Sequence, residues 1–185
     1  MIFNDHSAIK ESNAHAFLGA SQHSWIRYDD DALLHKLETY RASQKGTELH
    51  AFAELAINLG QKLGGPNSSL KMHVNDAIGY KMTPEVVLYY SPYCFGTADA
   101  ISFRRNKLRI HDLKTGTTVK GSMEQLMIYA AYFCLEYKMK PSDIEIELRI
   151  YQFEEASIYI PTSDEIMNII DKVIYFNKMI VDNAE

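Results

Sequence analysis

Residues 94–113 decide the fold: Cys94-Phe95-Gly96-Thr97-Ala98-Asp99-Ala100-Ile101-Ser102-Phe103, then Arg104-Arg105-Asn106, then Lys107-Leu108-Arg109-Ile110-His111-Asp112-Leu113. Two runs rich in strand-forming residues flank three polar ones, which predicts a β-hairpin. Alternate residues of a strand share a face. Asp99 therefore goes with Ile101 and Phe103, while Asp112 and Lys114 go with Leu108 and Ile110. Arg105-Asn106 reads as a two-residue loop, Asn tolerating the left-handed conformation such turns need. That register sets Phe103 against Leu108, Ile101 against Ile110 and Asp99 against Asp112. Opposed side chains stand about 4.5–5.5 Å apart at Cβ, where like charges repel. Two readings of the pair are open. A divalent cation sits between the carboxylates, for which an oxygen-rich site suits Mg²⁺ or Mn²⁺, or Lys114 simply neutralises Asp112. A three-residue loop would remove the facing altogether.

Outward from the hairpin, residues 85–90 (EVVLYY) predict a preceding strand and residues 122–137 a following helix. Residues 143–151 alternate, with Ile144, Ile146, Leu148 and Ile150 on one face and mostly charged residues on the other, and a short strand over 157–160 follows. Thr162 and Glu165 form a capping-box pattern that opens a last helix to about Val181. On the other side, Gly64-Gly65-Pro66-Asn67-Ser68-Ser69 reads as a connector, beyond which the texture changes to strands. Before it, Asp29-Asp30-Asp31 start a helix, and Leu49, Phe52, Ala56, Leu59 and Leu63 recur as a helical stripe over 46–63. The order is helices, three strands, a helix, one or two strands and a helix. It predicts a single α/β (α+β) domain.

A chain of 185 residues is long enough for a sizeable core. Its net charge of -5 excludes coating of nucleic acid by bulk charge but leaves local patches open. Cys94 and Cys134 are too few for a disulfide framework, a four-cysteine zinc site or a cysteine-held iron–sulfur cluster. The longest apolar run, 126–135, is far short of a membrane span, and the N-terminus lacks the pattern of a signal peptide. These features predict a soluble protein of a reducing, cytoplasmic compartment without a membrane partner. No HxxxH or HExxH spacing marks a zinc hydrolase among His6, His15, His23, His35, His73 and His111, and no phosphate or dinucleotide loop occurs.

Four short patterns occur in order: Gly46-x-x-x-His50, Gly96-x-x-Asp99, Asp112-Leu113-Lys114 and Gln125-x-x-x-Tyr129. In this order they resemble the RecB-like, λ-exonuclease-like branch of the PD-(D/E)XK nuclease superfamily, over about residues 45–132. The resemblance implies a restriction-endonuclease-like core, a central mixed β-sheet flanked by helices. It divides the chain into an N-terminal helical segment (1–45), a motif-bearing core (46–153) and a C-terminal strand and helix (154–185). It also implies that Asp99, Asp112, His50 and the backbone carbonyl of Leu113 hold Mg²⁺ or Mn²⁺. Lys114 would orient the attacking water, Gln125 and Tyr129 would line the site, and Glu85 would match an acidic position on the preceding strand. Members with an iron–sulfur cluster use four cysteines, so a cluster-free member is implied. Ala98 stands where the proline that names the superfamily would be.

The expected activity is metal-dependent hydrolysis of phosphodiesters in DNA, single- or double-stranded. The branch resemblance implies an exonuclease acting at DNA ends in recombination, repair or phage DNA processing, in a bacterial or phage-infected cell. A second copy of the chain or a recombination protein is an open partner. The competing expectation is a non-catalytic member that keeps the fold to bind DNA or protein. Each residue also has a plainer reading. His50 lies about 140° from the centre of the apolar stripe and reads as a surface histidine. Glu54, one turn on, is a second ligand or a solvated acid. Gln125 completes a capping box with Ser122. Tyr129 reads as core filler. Arg104, Arg105, Lys107 and Arg109 contact a phosphate backbone or form a solvated hairpin tip.

Overall fold

The computed structural model describes residues 16–116 and 119–183. His6 and His15 lie outside the described residues. The chain divides into two compact units, Met1–Lys45 and Gly46–Glu185. Helix α1 (Asp30–Asn58) runs through the boundary. In the first unit a 3-10 helix (Ala20–Arg27) precedes α1, and Asp29 Oδ1 accepts a hydrogen bond from the Ala32 amide at 2.8 Å. The acidic start predicted for this helix is thus a true N-terminal cap.

The second unit is α+β. A five-stranded mixed sheet has the order β1 (Thr83–Ser91), β2 (Cys94–Arg104), β3 (Lys107–Leu113), β4 (Glu145–Gln152) and β5 (Glu155–Tyr159). Among the described residues only β3 and β4 pair in parallel, and α3 (Met123–Glu136) lies in the connection between them. The predicted hairpin register is present, with Phe103 opposite Leu108 and Ile101 opposite Ile110. Arg105 and Asn106 both adopt positive φ, 52° and 59°, as the two-residue loop requires.

One sheet face packs on α3 and α4 (Ser163–Asp182) through Leu88, Leu108, Ile110, Leu126, Leu148 and Ile166. Thr162 and Glu165 form the expected reciprocal capping box at the start of α4. The other face packs on the end of α1 and on α2 (Ser69–Gly79) through Ala53, Ile57, Val74, Ala77, Leu113 and Tyr151. Helix α2 corrects the expectation of strands directly after the connector. Ser68 caps it by accepting from the Lys71 amide at 3.2 Å. Its eleven residues are too few for the apolar period to stand out beside the flanking polar run.

The charged face of β4 is a second correction. Glu147 is buried instead of solvated, because α2 covers that face and neighbouring cations satisfy the carboxylate. Arg149 lies 2.8 Å from it and Lys107 2.9 Å. Among the described residues, no helix is long and apolar enough to cross a membrane.

Candidate metal centre

The stripe predicted on α1 packs only in part. Ala56 is buried and Leu63, beyond the helix end at Asn58, packs on the same cluster, but Phe52 and Leu59 are 47% and 67% exposed, while Ala53 and Ile57, outside the stripe, are buried. His50 precedes Ala53 by three positions and Ile57 by seven, so it shares their face. The surface reading of His50 is therefore overturned. A Cβ on Gly46, one turn before it, would meet Thr115 Oγ1 at 2.9 Å. The first glycine–histidine pattern thus brings α1 against the chain just beyond β3.

His50 Nδ1 lies 3.4 Å from Asp99 Oδ2, with side chains 32% and 15% exposed. The β1–β2 register pairs Pro84 with Ala100 and Val86 with Ala98, which sets Glu85 across from Asp99. Glu85 itself has φ 50°, in the left-handed region that costs a non-glycine residue about 1–2 kcal/mol. At the same point β2 loses its alternation: Ala98 packs in the α3 cluster but Ala100 in the α1–α2 cluster. His50, Glu85 and Asp99 each offer one ligand atom, all within 4.8 Å of one another.

Burial, then the charge of Asp112, pushes the Asp99 carboxyl from an ordinary 3.8 up to about 6, against the Leu113 amide and His50, which lower it. Glu85 is raised as well, first by burial. Two carboxylates that resist ionising side by side, with an imidazole between helix and sheet, make a donor set fitted to a hard divalent cation.

Asp112 lies beyond the last β2–β3 pair, Ala100 with His111, where the same register would set it across from Asp99. Both aspartates have protein partners. Asp99 Oδ2 accepts from the Leu113 amide at 2.7 Å, so Leu113 enters the site through its N–H. Asp112, 2% exposed, has the Lys114 ammonium 3.0 Å from each carboxylate oxygen. Only the Oδ1 contact is an aligned hydrogen bond; Oδ2 has no hydrogen-bond partner among the described residues. Burial raises the Asp112 carboxyl, and Lys114 opposes the rise. Of the two readings of the opposed pair, neutralisation of Asp112 by Lys114 thus has its contact in the structure, and the Leu113 amide does the same work for Asp99.

Lys114 also donates to Gln125 Oε1 at 2.9 Å, and Gln125 Nε2 donates to Tyr129 Oη at 3.0 Å. The capping-box reading of Gln125 does not hold: Ser122 Oγ accepts from the Glu124 amide instead. Tyr129 is no mere filler, since its hydroxyl ends a chain that runs through Gln125 and Lys114 to Asp112. A Cβ on Gly96 would come within 2.8 Å of Tyr129 Cε1. Gly96→Ala is therefore expected to destabilise the fold by about 1–3 kcal/mol through overpacking. In a Tyr129→Ala background the same change should cost almost nothing. Melting curves of the four proteins in this double-mutant cycle check the contact.

His111, as its alternation predicts, points away from Asp112; it is buried beside His73, Tyr80 and Tyr151. Sequence reasoning missed the Leu113 amide and the left-handed Glu85. Neither carries a side-chain signal.

A family model described as "Protein of unknown function (DUF2800)" matches residues 85–177, half of the chain. The match contains Glu85, Asp99, Asp112, Lys114, Gln125 and Tyr129 but not His50. Nothing matches among curated proteins or solved structures.

Proposed function

The chain belongs to the DUF2800 family, whose description names no activity, and from its own side chains we propose that it is a metal-dependent nuclease hydrolysing phosphodiester bonds in DNA. The observation that carries this reading is the convergence of His50, Glu85 and Asp99 within 4.8 Å, from a helix and two strands, at the end of the hairpin that bears Asp112 and Lys114. The order of the four motifs, with its resemblance to PD-(D/E)XK nucleases, supports it.

His50, Glu85 and Asp99 would hold Mg²⁺ or Mn²⁺, with the unbonded Oδ2 of Asp112 as a further oxygen donor. When bound, such an ion supplies Lewis acidity, lowering the pKa of bound water and neutralising charge on the scissile phosphate. The protein's own contribution is a positioned cation. Asp112 and Gln125 hold the Lys114 ammonium at 3.0 and 2.9 Å, and Tyr129 fixes the Gln125 amide. A preorganised ammonium stabilises negative charge growing on phosphate oxygens without reorganising during the reaction.

We extend the reading to exonuclease action at DNA ends in a reducing cytoplasm, where Cys94 and Cys134, both free and buried, stay thiols.

The test is incubation of the chain with linear duplex DNA, single-stranded DNA, supercoiled plasmid and RNA in Mg²⁺ or Mn²⁺. Linear DNA should shorten, the closed plasmid and RNA should survive, and EDTA should stop the reaction. Intact DNA in all metal conditions would favour the non-catalytic binding module.

A further inference from the structure

Four of the chain's six arginines, Arg104, Arg105, Arg109 and Arg149, gather near Tyr80 or at the turn end of the β2–β3 hairpin. In a chain of net charge -5 this is a local reversal. Lys81, Arg104, Arg105, Lys107 and Arg109 line one open cavity of about 470 Å³ there, with Tyr80 and Glu145. The guanidinium carbons of Arg109 and Arg149 lie 4.5 and 4.9 Å from the Tyr80 ring centroid. The aromatic side chain of the cavity is thus already engaged by cations.

The opposing carboxylates are Glu145 at the rim, Glu147 beneath and Asp76 on α2. Glu147 is shared by Lys107, Arg109 and Arg149, at 2.9, 3.4 and 2.8 Å. Asp76 lies 3.0 Å from Arg149, and Glu145 3.7 Å from Lys107. Six cations therefore face three carboxylates. The surplus is exposed: no ion pair among the described residues involves Lys81, Arg104 or Arg105.

The backbone adds a second argument. Arg105 has φ 52° and Lys81 φ 53°, conformations in which Asn, Asp or Gly would cost less. Two of the unpaired cations stand at strained positions, where turn stability alone would select other residues. An anionic ligand accounts for both the charge and the strain.

We propose that this cavity is a phosphate-binding subsite for a nucleic-acid backbone, separate from the metal centre and indifferent to base sequence. Lys107 and Asp112 are five residues apart on β3, about 17 Å at 3.3 Å per residue. That corresponds to roughly five base pairs of duplex. The subsite does not need the hydrolase reading, because it acts on binding alone.

Its test is the affinity of the full chain for a labelled duplex of about 20 base pairs in EDTA, measured across a salt series. The variant is Arg104→Gln with Arg105→Asn, which removes two charges while giving the turn a residue that suits φ 52°. A purely structural role predicts equal or better folding and unchanged binding. The subsite predicts at least a tenfold weaker complex at low salt, and a salt slope shallower by about 2, near 0.9 for each phosphate no longer neutralised. Arg104→Lys with Arg105→Lys should keep most of both. A glutamine–asparagine variant that binds with the wild-type constant and slope overturns the subsite and leaves the cavity to an acidic protein partner. A wild-type chain that does not bind the duplex overturns it too. Because no metal is present, failure of cleavage leaves this result untouched, and the two proposals fall separately.

Discussion

Asp112→Asn is expected to lower DNA cleavage by at least about a hundred- to a thousandfold, the effect of removing one preorganised electrostatic group from a reacting centre. The reason is that Asp112 serves two groups at once. It holds the Lys114 ammonium at 3.0 Å, and its Oδ2, buried without a hydrogen bond, is the oxygen proposed to reach the metal. Asparagine preserves the volume of a side chain that is 2% exposed but not the charge. The fold should survive, because burial already raises the Asp112 carboxyl and Lys114, 29% exposed, keeps Gln125 and water as partners. Thermal melting should therefore shift by only a few degrees.

Lys114→Met separates the two roles. It should lose cleavage to a similar extent yet keep the stabilisation by Mn²⁺, since the ammonium is not a ligand. An Asp112→Asn protein that digests linear DNA at the wild-type rate would defeat the assignment.

The second large effect concerns Asp99 in metal-free protein. Its carboxyl rises from 3.8 to about 6, so between those values the folded state binds more protons than the unfolded one. Stability is then full below about pH 4, falls as the pH rises through 6, and levels off above it. The rise corresponds to at most about 3 kcal/mol. Asp99→Asn keeps an acceptor for the Leu113 amide and removes the charge. It should be more stable than wild type by about 1–3 kcal/mol at pH 7 to 8, and equal to it near pH 4.

Millimolar Mn²⁺ should reverse the order at neutral pH. A ligand present at about a hundred times its Kd adds about 2.7 kcal/mol to the native state. Wild type should gain several degrees in Tm, and Asp99→Asn little or nothing. Equal responses to Mn²⁺ in the two proteins would remove Asp99 from the metal centre, whatever the cleavage assay showed.

Elements with local signals were legible from the residues alone. The alternation of residues 94–113, with a turn that takes left-handed residues, specified the hairpin and its register, because strand period and turn conformation depend on neighbours a few positions apart. Ser122 at the start of α3 and the Thr162–Glu165 box at the start of α4 are local in the same sense.

Which face of α1 packs was set by contacts distant in sequence. Periodicity marked Leu49, Phe52, Ala56, Leu59 and Leu63 as the stripe, of which Ala56 is buried while Phe52 and Leu59 stay exposed. The face that packs runs through Gly46, His50, Ala53 and Ile57, and it carries His50 to Asp99. Tertiary packing also moved Gln125 from a helix cap to Lys114, buried Glu147 under a helix the sequence had not announced, and turned Glu85 toward Asp99 through a left-handed backbone. Periodicity records how apolar a face is. Its depth of approach and the partners of its polar groups depend on side chains distant in sequence, and these set the site.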